Sequence, residues 1–327
     1  MRTLRLGRDG PEVSALGLGC MRMSAPAAMG HEDESVATIQ AALDAGINFL
    51  DTGDFYAAGH NEMLIGRALR GRRREDAVIS VKFGFRRDPS GAFLGLDTTP
   101  NSVKNFVTYS LRRLGVDEID IYQPGRIDPS IPVEDTVGAI AELIEQGKVR
   151  HLGVSEVNAE QLRKANAVHP VTALEIEYSL VTRLIEAEIL PTARELGIGI
   201  VAYGVIAAGL LSGQLTAPLP AGDLRALFPR FQGDNLTHNL RTAAALTDMA
   251  ARKNCTPTQL AVAWVVSRGP DICTLVGMSR RSRLPENLAA LQVSLSDEEA
   301  RELDAAFAVG SIAGDRYPPG LAELVPN

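Results

Sequence analysis

Residues 133–155 read VEDTVGAIAELIEQGKVRHLGVS, and they contain the unit that decides the fold. Apolar residues recur at helical spacing through the first half, at Val133, Val137, Ile140 and Ile144. Gly147 follows, and glycine commonly ends a helix because it adopts the left-handed conformation without strain. The short run VRHLGV then has the length and character of a buried strand. The stretch therefore predicts a helix that leads directly into a strand.

The same order of helix, glycine and strand recurs outward from this unit in both directions. Gly46, Gly71, Gly115 and Gly197 each precede an apolar run of strand length. Counting all such runs gives eight strand candidates: ALGLG (15–19), INFLD (47–51), AVISVK (77–82), EIDIYQ (118–123), VRHLGV (149–154), ALEIEY (173–178), IGIVAY (198–203) and ICTLVG (272–277). Alternation of this kind implies right-handed crossovers and a parallel sheet covered by helices.

Eight parallel strands in a chain of this length favour the α/β class, as a closed (β/α)8 TIM barrel rather than an open doubly wound sheet. Residues 4–17, LRLGRDGPEVSALG, carry a turn signal at Asp9-Gly10-Pro11 and predict an N-terminal hairpin that covers the bottom of the barrel. Residues 215–235 and 313–327 are irregular and predict a long loop at the mouth, where the strands end, and a tail. No linker is evident, so residues 1–327 are expected to form a single domain.

Composition excludes several classes of protein. The 327 residues include 33 Lys plus Arg against 40 Asp plus Glu, a net charge of −7, and 45% are hydrophobic. Such a chain is folded rather than disordered, contains no apolar run near the ~18 residues of a membrane span, and is too acidic to favour nucleic acid. The basic run Arg70 to Arg74 is interpreted as a solvated helix end. Three scattered cysteines and no secretory signal predict a cytoplasmic protein without disulfides or a metal site.

Chemistry in such a barrel is expected where the strands end. Reactive side chains at those positions are Asp51, Tyr56, Lys82, Gln123, Arg126, Ser155, Glu175, Tyr178 and Tyr203. An ammonium beside a phenol favours the phenolate and is expected to lower the pKa of Tyr56 from about 10, while a carboxylate keeps the lysine charged. Such a tyrosine can exchange a proton with a substrate. A buried Asp51–Lys82 ion pair without chemistry is an equally open interpretation.

Several motifs resemble the aldo-keto reductase superfamily, in order and along nearly the whole chain. They are DTGDFYAAGHNEMLIGRAL (51–69), ISVKFG (79–84), LGVDEIDIYQ (114–123), GVSEVNAEQL (153–162), EYSL, VAYG and GMSRRSRLPENLAAL (277–291). The resemblance implies a (β/α)8 barrel that binds NADP(H) across its mouth and transfers hydride to an aldehyde or ketone. By position it implies that Tyr56 is the proton donor, that Lys82 tunes it, and that Asp51 pairs with Lys82.

One position departs from that pattern. Members of the superfamily carry a catalytic histidine after the fourth strand, in a segment like YQLHR, whereas residues 122–126 read YQPGR. Gly125 thus stands where the histidine orients the substrate carbonyl, and the pocket is expected to gain room for water or substrate. Losing such a donor typically costs about 10²- to 10³-fold in rate. Arg126, His60 and a bound water are candidates to replace it, with His60 first if its loop curls inward.

On the nicotinamide side, residues 17–22, GLGCMR, begin like a dinucleotide-binding motif but lack its third glycine, and they predict the exit of the first barrel strand. The resemblance implies that Gly19 and Met21 pass the nicotinamide ribose, although a plain tight turn is an equal alternative. It places Ser155 on the carboxamide and Tyr203 on the nicotinamide ring, with Asp51, Gln123 and Gly204 beside them. Glu156 and Glu175 stand where asparagine and glutamine are frequent, which predicts an altered cofactor contact.

The segment expected to bind the cofactor phosphate follows the last strand. The resemblance places Arg283 on the adenosine 2′-phosphate and Glu286 and Asn287 at the adenine, in a segment that opens a helix. Gly277, Ser279 and Arg280 belong to the same cofactor-binding segment. Clustered arginines at a helix N-terminus suit a phosphate and favour NADP over NAD. A basic turn that is merely exposed to water is the alternative.

These expectations predict an NADP(H)-dependent reductase of a small carbonyl compound, or dehydrogenase of the matching alcohol, that works without the catalytic histidine. Two alternatives stay open. One is reduction of a C=C bond or lyase chemistry in the same pocket. The other is a nucleotide-sensing regulatory subunit with little turnover, similar to the barrel subunits of potassium channels. The substrate and the oligomeric state are not predicted.

Overall fold

The computed structural model describes residues 1–325, so the last two residues of the expected tail and single domain, Pro326 and Asn327, lie outside the described residues. Its strands are β1 (Thr3–Arg5), β2 (Glu12–Ser14), β3 (Leu16–Gly19), β4 (Phe49–Gly53), β5 (Val78–Phe83), β6 (Phe85–Arg87), β7 (Phe93–Leu96), β8 (Ile119–Pro124), β9 (Val149–Ser155), β10 (Val171–Glu177), β11 (Gly199–Tyr203) and β12 (Ile272–Gly277). Its helices are α1 (Glu32–Asp44), α2 (His60–Leu69), α3 (Pro100–Leu114), α4 (Val133–Glu145), α5 (Ala159–Val168), α6 (Ile189–Leu196), α7 (Gly233–Arg252), α8 (Pro257–Ser267), α9 (Leu284–Ala289) and α10 (Asp297–Ala306).

Eight of these strands close into a parallel barrel in the order β3-β4-β5-β8-β9-β10-β11-β12. Each corresponds to one of the eight predicted runs, so the (β/α)8 barrel is confirmed. Ring closure is made by β12 and β3, where Leu275 pairs with Gly17 and Gly277 with Gly19. Because every barrel strand runs in the same direction, all eight carboxyl ends meet at one mouth.

The predicted helix ends are visible in the backbone. Gly115 ends α3 with a φ of 70°, and Gly197 ends α6 with a φ of 74°, which is the left-handed region that glycine occupies at little cost. Each glycine lets the chain turn at once from a helix toward the next strand. The apolar helix faces then pack against the outside of the barrel; Val137 and Ile140 of α4, for example, are fully buried.

The N-terminal hairpin is confirmed as well. Strands β1 and β2 pair antiparallel, with Leu4 opposite Val13. Both side chains are buried in a cluster with inward-facing barrel residues such as Phe49, Val201 and Cys273. The hairpin therefore covers the barrel floor with apolar surface and leaves the mouth at the other end open to loops.

The mouth loops contain more order than their sequence suggests. Strands β6 and β7 form a second antiparallel hairpin directly after β5, in a stretch for which no strand was predicted. The segment 215–235 contains two short 3-10 turns, Leu224–Leu227 and Pro229–Phe231. The described part of the tail ends in a third, Ala322–Leu324. No helix in residues 1–325 is long and apolar enough to cross a membrane.

The basic run after α2 is largely neutralised by ion pairs. Arg72 pairs with Asp44, Arg73 with Asp76 and Arg74 with Asp120. The exposed Arg73–Asp76 pair contributes little to stability, but the three pairs together leave little net charge for a polyanion. The geometry agrees with the interpretation of this run as a solvated helix end.

Candidate active site

Asp51, Tyr56 and Lys82 come together at the mouth, as expected. Strand β4 carries Asp51 and neighbouring β5 carries Lys82, while Tyr56 lies in the turn that follows β4. The ammonium Nζ of Lys82 donates to Asp51 Oδ1 at 2.5 Å and lies 5.4 Å from the centroid of the Tyr56 ring. Asp51 and Lys82 are buried, whereas the tyrosine is half-buried. The lysine therefore connects a carboxylate to a phenol that faces the mouth.

A second carboxylate reaches the same lysine from across the barrel. Glu175 Oε1 lies 3.0 Å from Lys82 Nζ, and Gln123 Nε2 donates to Glu175 Oε2 at 2.6 Å. All three side chains are buried. Glu175 was expected to meet the cofactor carboxamide, but in the structure its oxygens already bond to Lys82 and Gln123. Glu175, which stands where glutamine is frequent, thus contacts Lys82 directly.

The charges of this cluster set the protonation of each member. Burial lowers the pKa of Lys82, but Asp51 and Glu175 outweigh it and hold that pKa above its usual value, so the lysine stays an ammonium. Burial, followed by repulsion from Glu175, raises the pKa of Asp51 well above the usual range despite the attraction of Lys82. Lys82 therefore carries the positive charge of the cluster, with Asp51 and Glu175 as its two acidic partners.

The pKa of Tyr56 is raised rather than lowered, which corrects the expectation from sequence. Burial is the largest cause, and the negative charges of Asp51 and Glu175 add to it. Lys82 lowers the tyrosine pKa, but its effect does not outweigh burial. Lys82 alone would lower this pKa, whereas the folded site adds desolvation and a second carboxylate.

The space beside Gly125 is filled by aromatic rings, so the expectation that the pocket gains room there was wrong. A Cβ atom at Gly125 would lie 2.9 Å from Phe85 Cε2 and 3.2 Å from Phe55 Cε1. The two rings pack together with centroids 4.3 Å apart. Phe85 belongs to β6 of the unpredicted hairpin, which brings the ring to this position. Water or substrate is therefore displaced from the position next to Gly125 by apolar surface.

His60 does not replace the missing histidine. It is the first residue of α2, and its Nδ1 lies 2.9 Å from Ser24 Oγ. Its Nε2 faces Glu32, with a separation of 3.7 Å from Oε1. Both ring nitrogens thus have partners in the 21–34 region.

Arg316, in the described part of the tail, lies in the mouth of the barrel. Its guanidinium is 9% exposed and bonds to Glu156 Oε1 at 2.8 Å and to Glu177 Oε2 at 3.0 Å. Tyr203 donates to the same Glu156 oxygen at 2.6 Å. A tail was expected at residues 313–327, but the role of Arg316 in the mouth was not predicted, because its partners lie 160 and 139 positions away.

Glu156 is held in a sparsely populated conformation. Its φ of 51° lies in the left-handed region, which asparagine tolerates better than glutamate. The backbone N–H of Glu177 donates to Glu156 Oε1 at 3.0 Å, in addition to the bonds from Arg316 and Tyr203. These bonds offset the backbone cost and explain how glutamate can stand at a position where asparagine is frequent.

Two buried polar atoms at the neighbouring strand ends have no hydrogen-bond partner within residues 1–325. They are Ser155 Oγ on β9 and Gln123 Oε1 on β8. A hydroxyl that can donate and an amide oxygen that accepts are together complementary to a primary amide such as the nicotinamide carboxamide. The residues present therefore fit a nicotinamide cofactor. Gly19, at the exit of β3, and Gly204, after β11, lie on other sections of the same rim, whereas Tyr178 turns away and donates to Glu186.

The predicted phosphate segment follows β12 at the adjacent part of the rim. Apart from Gly277 and its two chain neighbours, no heavy atom of residues 1–325 lies within 4 Å of where a Cβ on Gly277 would lie, and Met21 is half exposed. The segment was expected to open one helix, but it forms a 3-10 turn, Arg281–Arg283, followed by the short α9. Arg281 is paired with Glu34, while Arg283 makes only a 3.3 Å contact with Glu286, and no carboxylate of residues 1–325 lies within 4.0 Å of Arg280. Ser279 and Asn287 flank this turn.

Comparisons with known proteins agree with this geometry. The profile of the Aldo/keto reductase family matches residues 15–308. "Probable aldo-keto reductase 1" of Glycine max is 39% identical to this chain, in an alignment that covers 98% of this chain and 93% of the relative.

Solved structures give the same answer. A glycerol dehydrogenase from Gluconobacter oxydans superposes with a TM-score of 0.84 at 31% identity, covering 94% of this chain and 95% of that chain. An aldo/keto reductase from Klebsiella pneumoniae, solved in complex with NADP and acetate, superposes with a TM-score of 0.73 at 27% identity, covering 97% and 96%. On the family profile and on these relatives, the chain belongs to the aldo/keto reductase family.

Proposed function

We propose that this protein is an NADP(H)-dependent oxidoreductase that reduces an aldehyde or ketone, or oxidises the matching alcohol, with Tyr56 as the proton donor. The observation that carries the proposal is the position of Lys82, whose ammonium bonds to Asp51 at 2.5 Å and lies 5.4 Å from the ring centroid of Tyr56. A lysine held charged beside a tyrosine at the mouth of a barrel is suited to proton exchange with a substrate oxygen.

Each residue of the cluster has a distinct task in carbonyl reduction. Bound NADPH supplies the hydride. Tyr56 gives its hydroxyl proton to the carbonyl oxygen as negative charge develops there, and the nearby Lys82 ammonium stabilises the phenolate that is left. Asp51 keeps Lys82 charged and oriented. In alcohol oxidation the same tyrosine, as phenolate, accepts the proton.

The cofactor would be held from two sides of the rim. Ser155 and Gln123 offer a donor and an acceptor to the carboxamide, and both atoms otherwise lack partners within residues 1–325. Arg280 and Arg283 suit the 2′-phosphate because Arg281 is engaged by Glu34. Gly19, Met21, Asp51, Glu175, Tyr203, Gly204, Gly277, Ser279, Glu286 and Asn287 complete the proposed cofactor environment. The NADP complex of the Klebsiella relative supports this assignment.

The missing histidine makes Tyr56 the principal donor to the carbonyl oxygen. Aromatic rings occupy the space beside Gly125, so that side of the site excludes water rather than offering a hydrogen bond. An apolar wall next to the reacting carbonyl strengthens the remaining electrostatic interactions. We therefore propose a catalytic group of Tyr56, Lys82 and Asp51, with the substrate held by other contacts.

NADPH oxidation, followed at 340 nm across a panel of aldehydes, ketones and enones, tests this proposal. We expect turnover of aldehydes or ketones, and loss of about 10²- to 10⁴-fold in kcat/KM on Tyr56→Phe. Tyr109→Phe, at a tyrosine that is 48% exposed, is the matched control. Binding of NADPH without turnover of any carbonyl, and with no effect of Tyr56→Phe, would instead favour a nucleotide-sensing role. Turnover of enones alone would favour C=C reduction.

A further inference from the structure

Arg126 crosses the mouth from the end of β8. Its Nη1 donates to the carbonyl oxygen of Gly125 at 2.6 Å, and its Nη2 lies 3.4 Å from the hydroxyls of both Tyr203 and Tyr317. The side chain thus reaches from the fourth barrel strand to the seventh strand and the tail. Contacts of 3.4 Å are at the outer limit of hydrogen bonding, so a better acceptor can replace them.

The charge of Arg126 is not balanced by a nearby carboxylate. Within residues 1–325, no Asp or Glu oxygen lies within 4.0 Å of its guanidinium, although the two other buried arginines of the mouth each have one. Arg316 bonds to Glu156 and Glu177, and Arg230 lies 3.7 Å from Glu177. Three guanidinium groups therefore share two carboxylates, which leaves one positive charge.

The remaining acidic groups around the mouth are already engaged. Both oxygens of Glu156 accept bonds from Arg316. Asp51 and Glu175 bond to Lys82, and no guanidinium in residues 1–325 lies within 4.0 Å of either. Asp315, next to Arg316 in the sequence, is exposed to solvent. A partly buried cation without a counter-charge is unfavourable unless a ligand supplies that charge.

The position of Arg126 shows whether the cofactor phosphate or the substrate would supply the negative charge. Strand β8 stands four places from β12 in the ring of eight, so it lies opposite the segment proposed to hold the cofactor phosphate. It is also the direct neighbour of β5, which carries Lys82. An anion at Arg126 therefore lies on the substrate side of Tyr56, away from the phosphate.

We propose that Arg126 is a specificity-determining residue that binds the carboxylate of an acidic substrate, so that the preferred substrates are aldehydes or ketones that also carry a carboxylate. This inference rests on the proposed function and adds the substrate class to it. The Arg126 fork and the hydroxyl of Tyr317 would form the anion site, since the hydroxyl of Tyr203 already donates to Glu156. A planar guanidinium suits a carboxylate because it can donate two parallel hydrogen bonds.

The test compares matched pairs of substrates with NADPH: 4-formylbenzoate against its methyl ester, and succinic semialdehyde against butanal. We expect kcat/KM to favour the acid by about tenfold or more, mainly through KM, since a charge-assisted hydrogen bond is lost with the neutral partner. Arg126→Gln should reduce the acid-to-neutral ratio to near one, and Arg126→Lys should restore part of it. Arg86→Gln, at an exposed arginine of β6, should leave the ratio unchanged.

A binding measurement keeps the inference testable if turnover fails. Binding of benzoate to the enzyme–NADPH complex is measured by calorimetry for the natural sequence and for Arg126→Gln. Weaker benzoate binding in the variant, with the Kd for NADPH unchanged, supports the anion site even if no carbonyl is reduced. Equal benzoate binding overturns it, as does an acid-to-neutral ratio that Arg126→Gln leaves intact. A higher Kd for NADPH in Arg126→Gln, with unchanged benzoate binding, would assign Arg126 to the cofactor site instead.

Discussion

The carboxylate of Glu175 lies 3.0 Å from the ammonium nitrogen of Lys82, although the two residues come from strands on different sides of the barrel. Glutamine is frequent at this position in the superfamily, and an amide there would add no charge. In this chain the lysine instead balances two carboxylates, and the extra negative charge raises the pKa of Tyr56 further. The phenol is therefore kept protonated, the form needed for carbonyl reduction.

Glu175→Gln should move the pH dependence of reduction. Removing a buried negative charge near Tyr56 lowers the pKa of the tyrosine, so the proton donor is lost at a lower pH. We expect the alkaline limb of kcat/KM to shift downward by about one pH unit or more, given the strength of charge interactions in a partly buried site. Profiles of the natural sequence and of an exposed control, Glu195→Gln, should coincide. An unchanged alkaline limb in Glu175→Gln would show that Glu175 does not influence the proton donor.

Gly125→His should fail to restore the missing catalytic residue. Even a Cβ atom would approach Phe85 Cε2 to 2.9 Å, so the imidazole has to displace one or both aromatic rings. Overpacking of this kind typically costs about 1–3 kcal/mol in the free energy of unfolding, measured by urea denaturation, and we expect no gain in kcat/KM. Combining it with Phe85→Ala should be less destabilising than the sum of the single changes, because the two share one contact. A stable and more active Gly125→His protein would mean that the rings move aside readily.

Two arginines of one turn should respond differently to removal. Arg283→Ala should raise the Kd for NADPH by about tenfold or more, as expected for a lost charge-assisted bond to phosphate, and should change the Kd for NADH much less. Arg281→Ala is the matched control, because Glu34 already occupies its guanidinium. Fluorescence titration measures the Kd for NADPH and the Kd for NADH in both variants and in the natural sequence. Equal effects of the two substitutions on NADPH would remove Arg283 from the phosphate site.

Asp54 should make the protein less stable as the pH rises. Burial, with repulsion from Glu62, raises the pKa of Asp54 to about 8, against about 4 in an unfolded chain. Between those values the folded state binds the proton that the unfolded state has released, so the free energy of unfolding falls with pH, by at most about 1.4 kcal/mol per unit. Asp54→Asn should remove this component between pH 4 and 8.

Urea denaturation at several pH values compares Asp54→Asn with the natural sequence and with Asp248→Asn, at an exposed position in α7. The difference in unfolding free energy between Asp54→Asn and the natural sequence should grow from pH 5 to pH 8, whereas the control should follow the natural sequence. Parallel curves for all three proteins would contradict a raised pKa at Asp54.

Local sequence patterns predicted the barrel because each helix, glycine and strand is specified by neighbouring residues. The same patterns placed Asp51 and Lys82 at strand ends, where the parallel barrel brings them together. Contacts between distant segments were not predictable in this way. Phe85 fills the space at Gly125 because it lies on a hairpin whose strands are only three and four residues long. Arg126 lacks a carboxylate partner because the acidic side chains of the mouth are bonded to other cations.

The side chains of Arg316 and Glu156 meet across 160 positions of sequence. A chain is synthesised from its N-terminus, and its early segments begin to fold first. The floor hairpin and all eight strands are therefore made before Arg316, and until then Glu156 has Tyr203 as a partner but lacks the two hydrogen bonds that Arg316 donates. The barrel can close before the mouth is complete, and assembly of the binding surface becomes a separate, later event that depends on residues following the last barrel strand.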